Sequence, residues 1–417
     1  MLARNRALAN LKAGYLFPEI AKRRRDFLSK HPEAKIISLG IGNTTEPITP
    51  HIDEGLVQGA RRLATKEGYT GYGDEQGMTA LREKIAQVFY NSLKDCRQIS
   101  ADEVFISDGA KCDIGRLQLL FGASVPVAVQ DPSYPVYVDG SVLIGAAGPW
   151  NGTGYEKIQY LPCTAENNYF PDLNRLPTNG LVYFCSPNNP TGAVATKDQL
   201  TALVQAVKQT GSILMFDAAY AEYIRSPDLP KSIFQIPGAD TCAIEVNSFS
   251  KPIGFTGVRL GWTVVPKTLV YEGGESVNAD WNRICTTVFN GASNIAQYGG
   301  LAALDSEGLK EMRQLTDYYL ENARLIRHTL QNLGITCVGG DNAPYIWAQF
   351  PGKTSWDVFE TILETCWVVT TPGSGFGPAG ESFIRFSAFG HREELQKPAS
   401  GLNGWHSRPS FDIVPPF

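Results

Sequence analysis

The 417-residue chain has no CxxC pair, no run of like charge longer than four residues, and no apolar stretch near the ~18 residues that a membrane span needs. Its eight cysteines (96, 112, 163, 185, 242, 285, 337 and 366) are scattered and do not gather with the five histidines, so neither a metal site nor a disulfide framework is signalled. A reducing compartment suits them. A net charge of −5, with 19% charged and 43% hydrophobic residues, argues against a nucleic-acid partner and against disorder. The single basic run, Lys22 to Arg25, reads either as a nucleic-acid or targeting patch or as the solvated face of a helix, and Glu19 and Asp26 beside it favour the helix. The N-terminus lacks an apolar signal region and is poor in serine, which reads as a mature helical arm.

What is present is an alternating pattern. The first 34 residues read as helix, and Ile36 to Leu39 as a strand entering the turn GIGNTTEP. From Val104 to Val265, short apolar or β-branched runs (VFIS, PVAVQD, LVYFC, ILMFD, CAIEVNSFS, GWTVV) alternate with helical windows such as KDQLTALVQAVKQTG. Continuous apolar strands separated by helices imply a sheet buried on both faces, hence an α/β fold with a mostly parallel central sheet. Ligands of such sheets bind beyond the carboxyl ends of the strands. A helical stretch from Asn294 to Gly334, broken near Asp305 to Gly308, leads into a mixed region read as a smaller α+β domain. The expected division is an N-terminal arm with part of the small domain at 1–48, a large domain at 49–293, a small C-terminal domain at 294–392, and an irregular tail at 393–417, where Pro398 and aperiodic text end the pattern.

The stretch SFSKPIGFTGVRLGW, Ser248 to Trp262, places one lysine, Lys251, in largely apolar text with Ser248, Ser250 and Arg259 nearby. A buried amine loses part of its stabilisation as a cation, so its pKa falls and it becomes a nucleophile and base near neutral pH. The plainer reading is a lysine whose stem packs at a strand end while its head reaches water. Hydroxyls and a guanidinium can converge on a compact anion, and the glycines at 254, 257 and 261 let backbone turn closely around it. Pyridoxal 5′-phosphate offers both an aldehyde for the lysine and a phosphate for the arginine and serines.

SFSKPIGFTGVRLGW resembles the cofactor-lysine motif of the class I/II aminotransferases, enzymes of pyridoxal-phosphate fold type I. SPNNPTG (Ser186 to Gly192), FDAAY (Phe216 to Tyr220), SDGAKCD (Ser107 to Asp113) and FIRFSAFG (Phe383 to Gly390) resemble the other motifs of that family, in order. The resemblance implies Lys251 as the catalytic amine and Asp217 as the partner of the pyridine nitrogen. It implies Tyr220 and Asn189 at the phenolic oxygen, and Tyr134 stacked on the ring. The phosphate falls to Ser248, Ser250, Arg259 and the backbone at Gly109, Ala110 and Lys111, with Tyr72 from a neighbouring subunit. Arg385 and Gly42 would hold the substrate α-carboxylate. Tyr134 as a turn tyrosine packed on the sheet, and Arg385 as a surface ion pair, are the structural alternatives.

GIGNTTEP, YTGYGDEQG, DPSYPVYVD and FNGASN resemble, within this family, the group that transaminates LL-2,6-diaminopimelate in lysine biosynthesis. That implies a homodimer with shared sites, and distal substrate contacts from Lys111, Glu75, Tyr15 and Asn290, with Glu75 and Asn290 coming from the other subunit. Tyr134 and Asn189 would also touch substrate. The implied compartment is the cytoplasm of a bacterium or the plastid stroma of a plant or alga. The alternatives are another class I/II pyridoxal-phosphate enzyme, such as a different amino-acid aminotransferase or an aminocyclopropane-carboxylate-synthase-like lyase, and a non-enzymatic scaffold.

Overall fold

The computed structural model describes residues 2–11, 16–40 and 42–396. The irregular tail expected at 393–417 therefore lies outside the described residues from 397 on, after a short helix, Arg392–Gln396, that buries Leu395.

The strands Val104–Ser107, Gly261–Val264, Ala243–Ser248, Ile213–Asp217, Leu181–Cys185, Val127–Asp131 and Ile158–Pro162 form, in that spatial order, one seven-stranded sheet. Only Gly261–Val264 runs against its neighbours, so the sheet is mostly parallel, as the alternating text implies. Side chains alternate across a strand, and the two faces feed different cores. Val182, Phe184, Leu214 and Phe216 pack on one side, whereas Tyr183, Cys185 and Met215 pack on the other. The helix Lys197–Gln209 covers the first face with Leu200, Leu203, Val204 and Val207, one stripe at helical spacing, and Thr196 caps its N-terminus by accepting from the Gln199 N–H.

One segment departs from its local propensity. VYVDGSVLI is rich in β-branched residues, yet Val136–Ile144 is a helix, ended by Gly145 in the left-handed conformation at φ 92°. Burial of Val136, Tyr137, Ser141 and Val142 against the sheet overrides the preference of the text for strand. The break read near Asp305 is a helix boundary, since Asp305 accepts from the N–H groups of Glu307 and Gly308 to cap Ser306–Asn332.

A smaller antiparallel sheet orders Thr371–Pro372, Phe383–Ser387, Tyr345–Gln349 and Cys337–Gly339. Beside it, Ile37–Ser38 pairs in parallel with Val368–Val369. One core joins Leu16, Ile20, Phe27 and Ile37 from the start of the chain to Ile346, Phe359, Ile362 and Phe386 from its end. The long helix serves both lobes, since Met312 packs in the core of the large sheet while Ala323, Ile326 and Leu330 pack in the smaller one. Asp131, at the end of its large-sheet strand, accepts from the Ala379 N–H at 3.0 Å, and the Ser133 N–H donates to the Phe376 carbonyl, so the lobes meet over the carboxyl edge of the large sheet.

Phe359, fully buried in the smaller core, gives a direct check of that packing. Phe359→Ala is expected to cost about 3–5 kcal/mol, read as a lower urea midpoint at unchanged slope.

Candidate active site

A cavity of about 240 Å³ opens where the lobes meet, beyond the carboxyl ends of the large-sheet strands. Of the residues that the sequence singles out, the structure brings together on its walls Gly42, Ala110, Lys111, Tyr134, Asn189, Asp217, Tyr220, Ser248, Ser250, Lys251, Arg259 and Arg385. Gly109 lies directly behind them as the residue before the helix Ala110–Leu117.

Lys251 follows the strand Ala243–Ser248 in a turn whose first bond runs from the Ser250 N–H to Ser248 Oγ at 3.0 Å. Its ammonium donates to the Gly42 carbonyl and stands 5.4 Å from the Phe389 ring centroid. Among the described residues no carboxylate acts on the amine. Burial, then the positive charges of Arg385 and Arg259, lower its pKa to about 7. The sequence reading of a depressed amine thus has a physical cause in the fold.

Asp217 ends the strand Ile213–Asp217 and is buried. Its carboxylate accepts from the Ala219 N–H at 3.0 Å and from the Tyr137 hydroxyl at 2.7 Å. Burial raises its pKa above the usual carboxylate value, and those two donors oppose the rise. A buried anion of this kind calls for a cationic partner. The protonated nitrogen of a pyridine ring is such a partner.

Opposite Asp217, Arg259 adopts φ 73° and donates to the Thr256 carbonyl at 3.1 Å and to Ser250 Oγ at 3.4 Å. The helix Ala110–Leu117 begins here with no side-chain cap, its positive end facing the same cavity. Gly109 has φ 123°, and a Cβ there would lie 2.5 Å from Arg259 Nη2. The close approach of guanidinium to backbone therefore requires glycine. Serine hydroxyls, an arginine and a bare helix N-terminus make a donor set for a phosphate, and with Lys251 and Asp217 the residues present fit pyridoxal phosphate.

Arg385 sits mid-strand in Phe383–Ser387, paired with Trp347 and Thr371, and is 1% exposed. It is no surface ion pair. Its guanidinium donates to Asn189 Oδ1 at 2.7 Å and to the Gly40 carbonyl at 2.6 Å, both neutral oxygens, and its Nε has no partner among the described residues. The rings of Tyr345 and Phe376 lie 4.5 and 4.8 Å from it. A buried guanidinium held, among the described residues, by neutral acceptors is set to receive an anion, and its planar fork matches a carboxylate.

Three expected residues are absent from the cavity walls. Tyr72 is 85% exposed, Asn290 is exposed and Glu75 is half-buried. Glu75 and the residue beside Asn290 nevertheless lie close, since a Cβ on Gly291 would lie 3.1 Å from the Asp74 carbonyl oxygen and 3.6 Å from Glu75 Cα. Tyr15 lies outside the described residues. Phe17, Ile114, Tyr137, Cys185, Ala219 and Tyr345 line the cavity without having been read from the sequence. Tyr137, three residues after Tyr134 in DPSYPVY, could have been found had that text been read as helix. Among the described residues no cluster could hold a metal ion and no helix is long and apolar enough to cross a membrane.

The sequence profile described as Aminotransferase class I and II matches residues 34–402. The chain is 56% identical over 401 residues to the probable LL-diaminopimelate aminotransferase, chloroplastic, of Oryza sativa subsp. japonica, covering 96% of this chain and 85% of that protein. It is 53% identical over 397 residues to the LL-diaminopimelate aminotransferase of Protochlamydia amoebophila, covering 95% of each. The solved L,L-diaminopimelate aminotransferase of Chlamydomonas reinhardtii superposes with a TM-score of 0.90 at 59% identity, over 94% of this chain and 96% of that one.

Gly109→Ala is expected to push Arg259 out of place and weaken binding of inorganic phosphate about tenfold or more, the loss of a charge-assisted contact. Calorimetric titration of the cofactor-free protein reads it, with Gly122→Ala, at another positive φ but with no atom within 4 Å of the new Cβ, as the control.

Proposed function

The chain belongs to the class I and II aminotransferases, and on that premise we propose that it transfers an amino group from LL-2,6-diaminopimelate to 2-oxoglutarate, giving tetrahydrodipicolinate and glutamate in lysine biosynthesis. The observation that carries the reading is the pairing, in one cavity, of an amine of lowered pKa, Lys251, with a buried guanidinium, Arg385, whose partners among the described residues are neutral. An α-amino acid presents the groups that such a pair meets, a carboxylate beside an acidic Cα–H. The identity to the diaminopimelate enzymes of rice and Protochlamydia supports the choice of substrate.

Pyridoxal 5′-phosphate is the proposed cofactor; when bound, it supplies an aldehyde for reaction with an amine and a cationic ring that draws electrons from the substrate α-carbon. Arg259, Ser248, Ser250 and the N-terminus at Ala110 would hold its phosphate, and Asp217, kept in place by Tyr137 and the Ala219 N–H, would hold its ring nitrogen. Tyr134 and Tyr220 face the space between. Lys251, deprotonated in an appreciable fraction near neutral pH, serves as nucleophile and then takes the α-proton of the substrate and returns it. Arg385 fixes the α-carboxylate, which orients the Cα–H toward the lysine. Lys111, on the first turn of its helix, is the proposed cation for the distal carboxylate.

Tyr72, Glu75 and Asn290 are the proposed contribution of each subunit to its partner's cavity in a homodimer, Glu75 taking the distal ammonium. Tyr15 is the remaining proposed substrate contact. The proposed compartment is the plastid stroma or the bacterial cytoplasm, in keeping with eight free cysteines.

The visible spectrum of the protein loaded with pyridoxal phosphate tests the reading. LL-diaminopimelate is expected to bleach the band of the lysine-bound cofactor and 2-oxoglutarate to restore it, with keto-acid production at matching rate. A band indifferent to LL-diaminopimelate rejects the substrate, and loss of amino acid without a keto acid points to the lyase alternative.

Cofactor capture also has a pH signature. Only the neutral amine attacks the aldehyde, and the Lys251 pKa is lowered to about 7. The capture rate, followed by stopped-flow absorbance, is therefore expected to rise with pH through about 7 and then level off. An ordinary lysine would keep gaining rate up to about pH 10.4.

A further inference from the structure

We propose that Tyr345 is a positioning residue for the transamination, its hydroxyl donating to Tyr220 while its ring carries the Arg385 guanidinium. This deepens the aminotransferase reading and rests on it.

Tyr345 opens the strand Tyr345–Gln349 and is 1% exposed; two residues on, Trp347 pairs with Arg385 across the sheet. Its hydroxyl lies 2.8 Å from that of Tyr220, and both line the cavity. Each hydroxyl has a single proton, so one of the two must donate to the other. When Tyr345 donates, the Tyr220 proton is available to an oxygen in the cavity, and a hydroxyl that accepts while it donates is the stronger donor. When Tyr220 donates, its proton is consumed inside the pair. Burial raises both phenols, so the pair keeps its two protons well past neutral pH.

The same side chain meets the other parts of the site. The Arg385 guanidinium stands 4.5 Å from its ring centroid, within cation–π range. Gly42, whose carbonyl receives the Lys251 ammonium, packs so close that a Cβ there would lie 2.4 Å from the Tyr345 hydroxyl oxygen. One residue of the smaller lobe thus touches the carboxylate clamp, the loop that holds the lysine and the tyrosine facing the ring. Without it, Tyr220 and Arg385 lose their shared reference.

Tyr345→Phe keeps the ring and deletes the proton; Tyr345→Leu removes both. In the pyridoxal-phosphate-loaded protein, the Phe variant is expected to shift the pH midpoint of the visible cofactor band by about 0.5–1 unit and to lower kcat about five- to twentyfold, the size of one lost hydrogen bond. KM for LL-diaminopimelate stays within about twofold, because the stack on Arg385 survives. The Leu variant is expected to raise KM about tenfold as well, the loss of a desolvated cation–π contact. A Phe variant with wild-type midpoint and kcat overturns the proposal, even if its melting temperature falls. So does a Phe variant whose KM rises as far as that of the Leu variant. If the wild-type protein ignores LL-diaminopimelate while the Phe variant still shifts the band, the tyrosine relay stands and the substrate assignment falls.

Discussion

An excess of positive charge in a poorly hydrated space is the constraint on which the rest of this protein depends. Lys251, Arg259 and Arg385 face one cavity with Lys111, and among the described residues Asp217 is the single carboxylate that lines it. Burial, and after it the positive charges of Arg385 and Arg259, depress the lysine, and neutral oxygens hold Arg385. Strand ends, a helix N-terminus and close-packed rings hold Arg385 fully buried and Lys251 and Arg259 half-buried at this place, while Lys111 keeps contact with water. The unmet charge is what gives the site its appetite for anions. A phosphate and a carboxylate, delivered by two different small molecules, would each relieve one part of it.

The two lobes divide this task. The large sheet supplies Asp217 and the lysine turn from the carboxyl ends of adjacent parallel strands, together with the bare N-terminus at Ala110. The smaller lobe supplies Arg385, Tyr345 and the Gly42 loop. The Asp131 carboxylate and the Ser133 N–H tie the edge of the large sheet to the main chain of residues 376–379, just before the strand that carries Arg385, so the clamp is registered to the large sheet. Burial raises the Asp131 carboxyl to about 7, opposed by the Ala379 N–H.

The part of the site that lies on short local motifs was legible from text. Lys251, Asp217, Arg259 and the turn before Ala110 each sit within a few residues of a strand end, and apolar runs mark strand ends plainly. Tyr345 and Tyr137 were not legible. Tyr345 owes its place to register between antiparallel strands far apart in sequence, and Tyr137 to a helix whose β-branched text argues for a strand. Phe17 reaches the cavity from the N-terminal helix, which no periodicity could have connected to a site hundreds of residues on. The exposed Tyr72 and Asn290 are a different case, because their proposed partners lie beyond a single chain.

The smaller lobe is assembled from two segments that lie on either side of the large sheet in the sequence. Its parallel pair joins Ile37–Ser38 to Val368–Val369, and its core mixes Leu16, Ile20 and Phe27 with Phe359, Ile362 and Phe386. During synthesis the N-terminal segment leaves the ribosome long before its partners exist, with its apolar face uncovered. Every strand of the large sheet is complete by Val264. That sheet can close while the clamp residue Arg385 is still untranslated, so the anion-seeking cavity is finished only after the strand Phe383–Ser387 has been made.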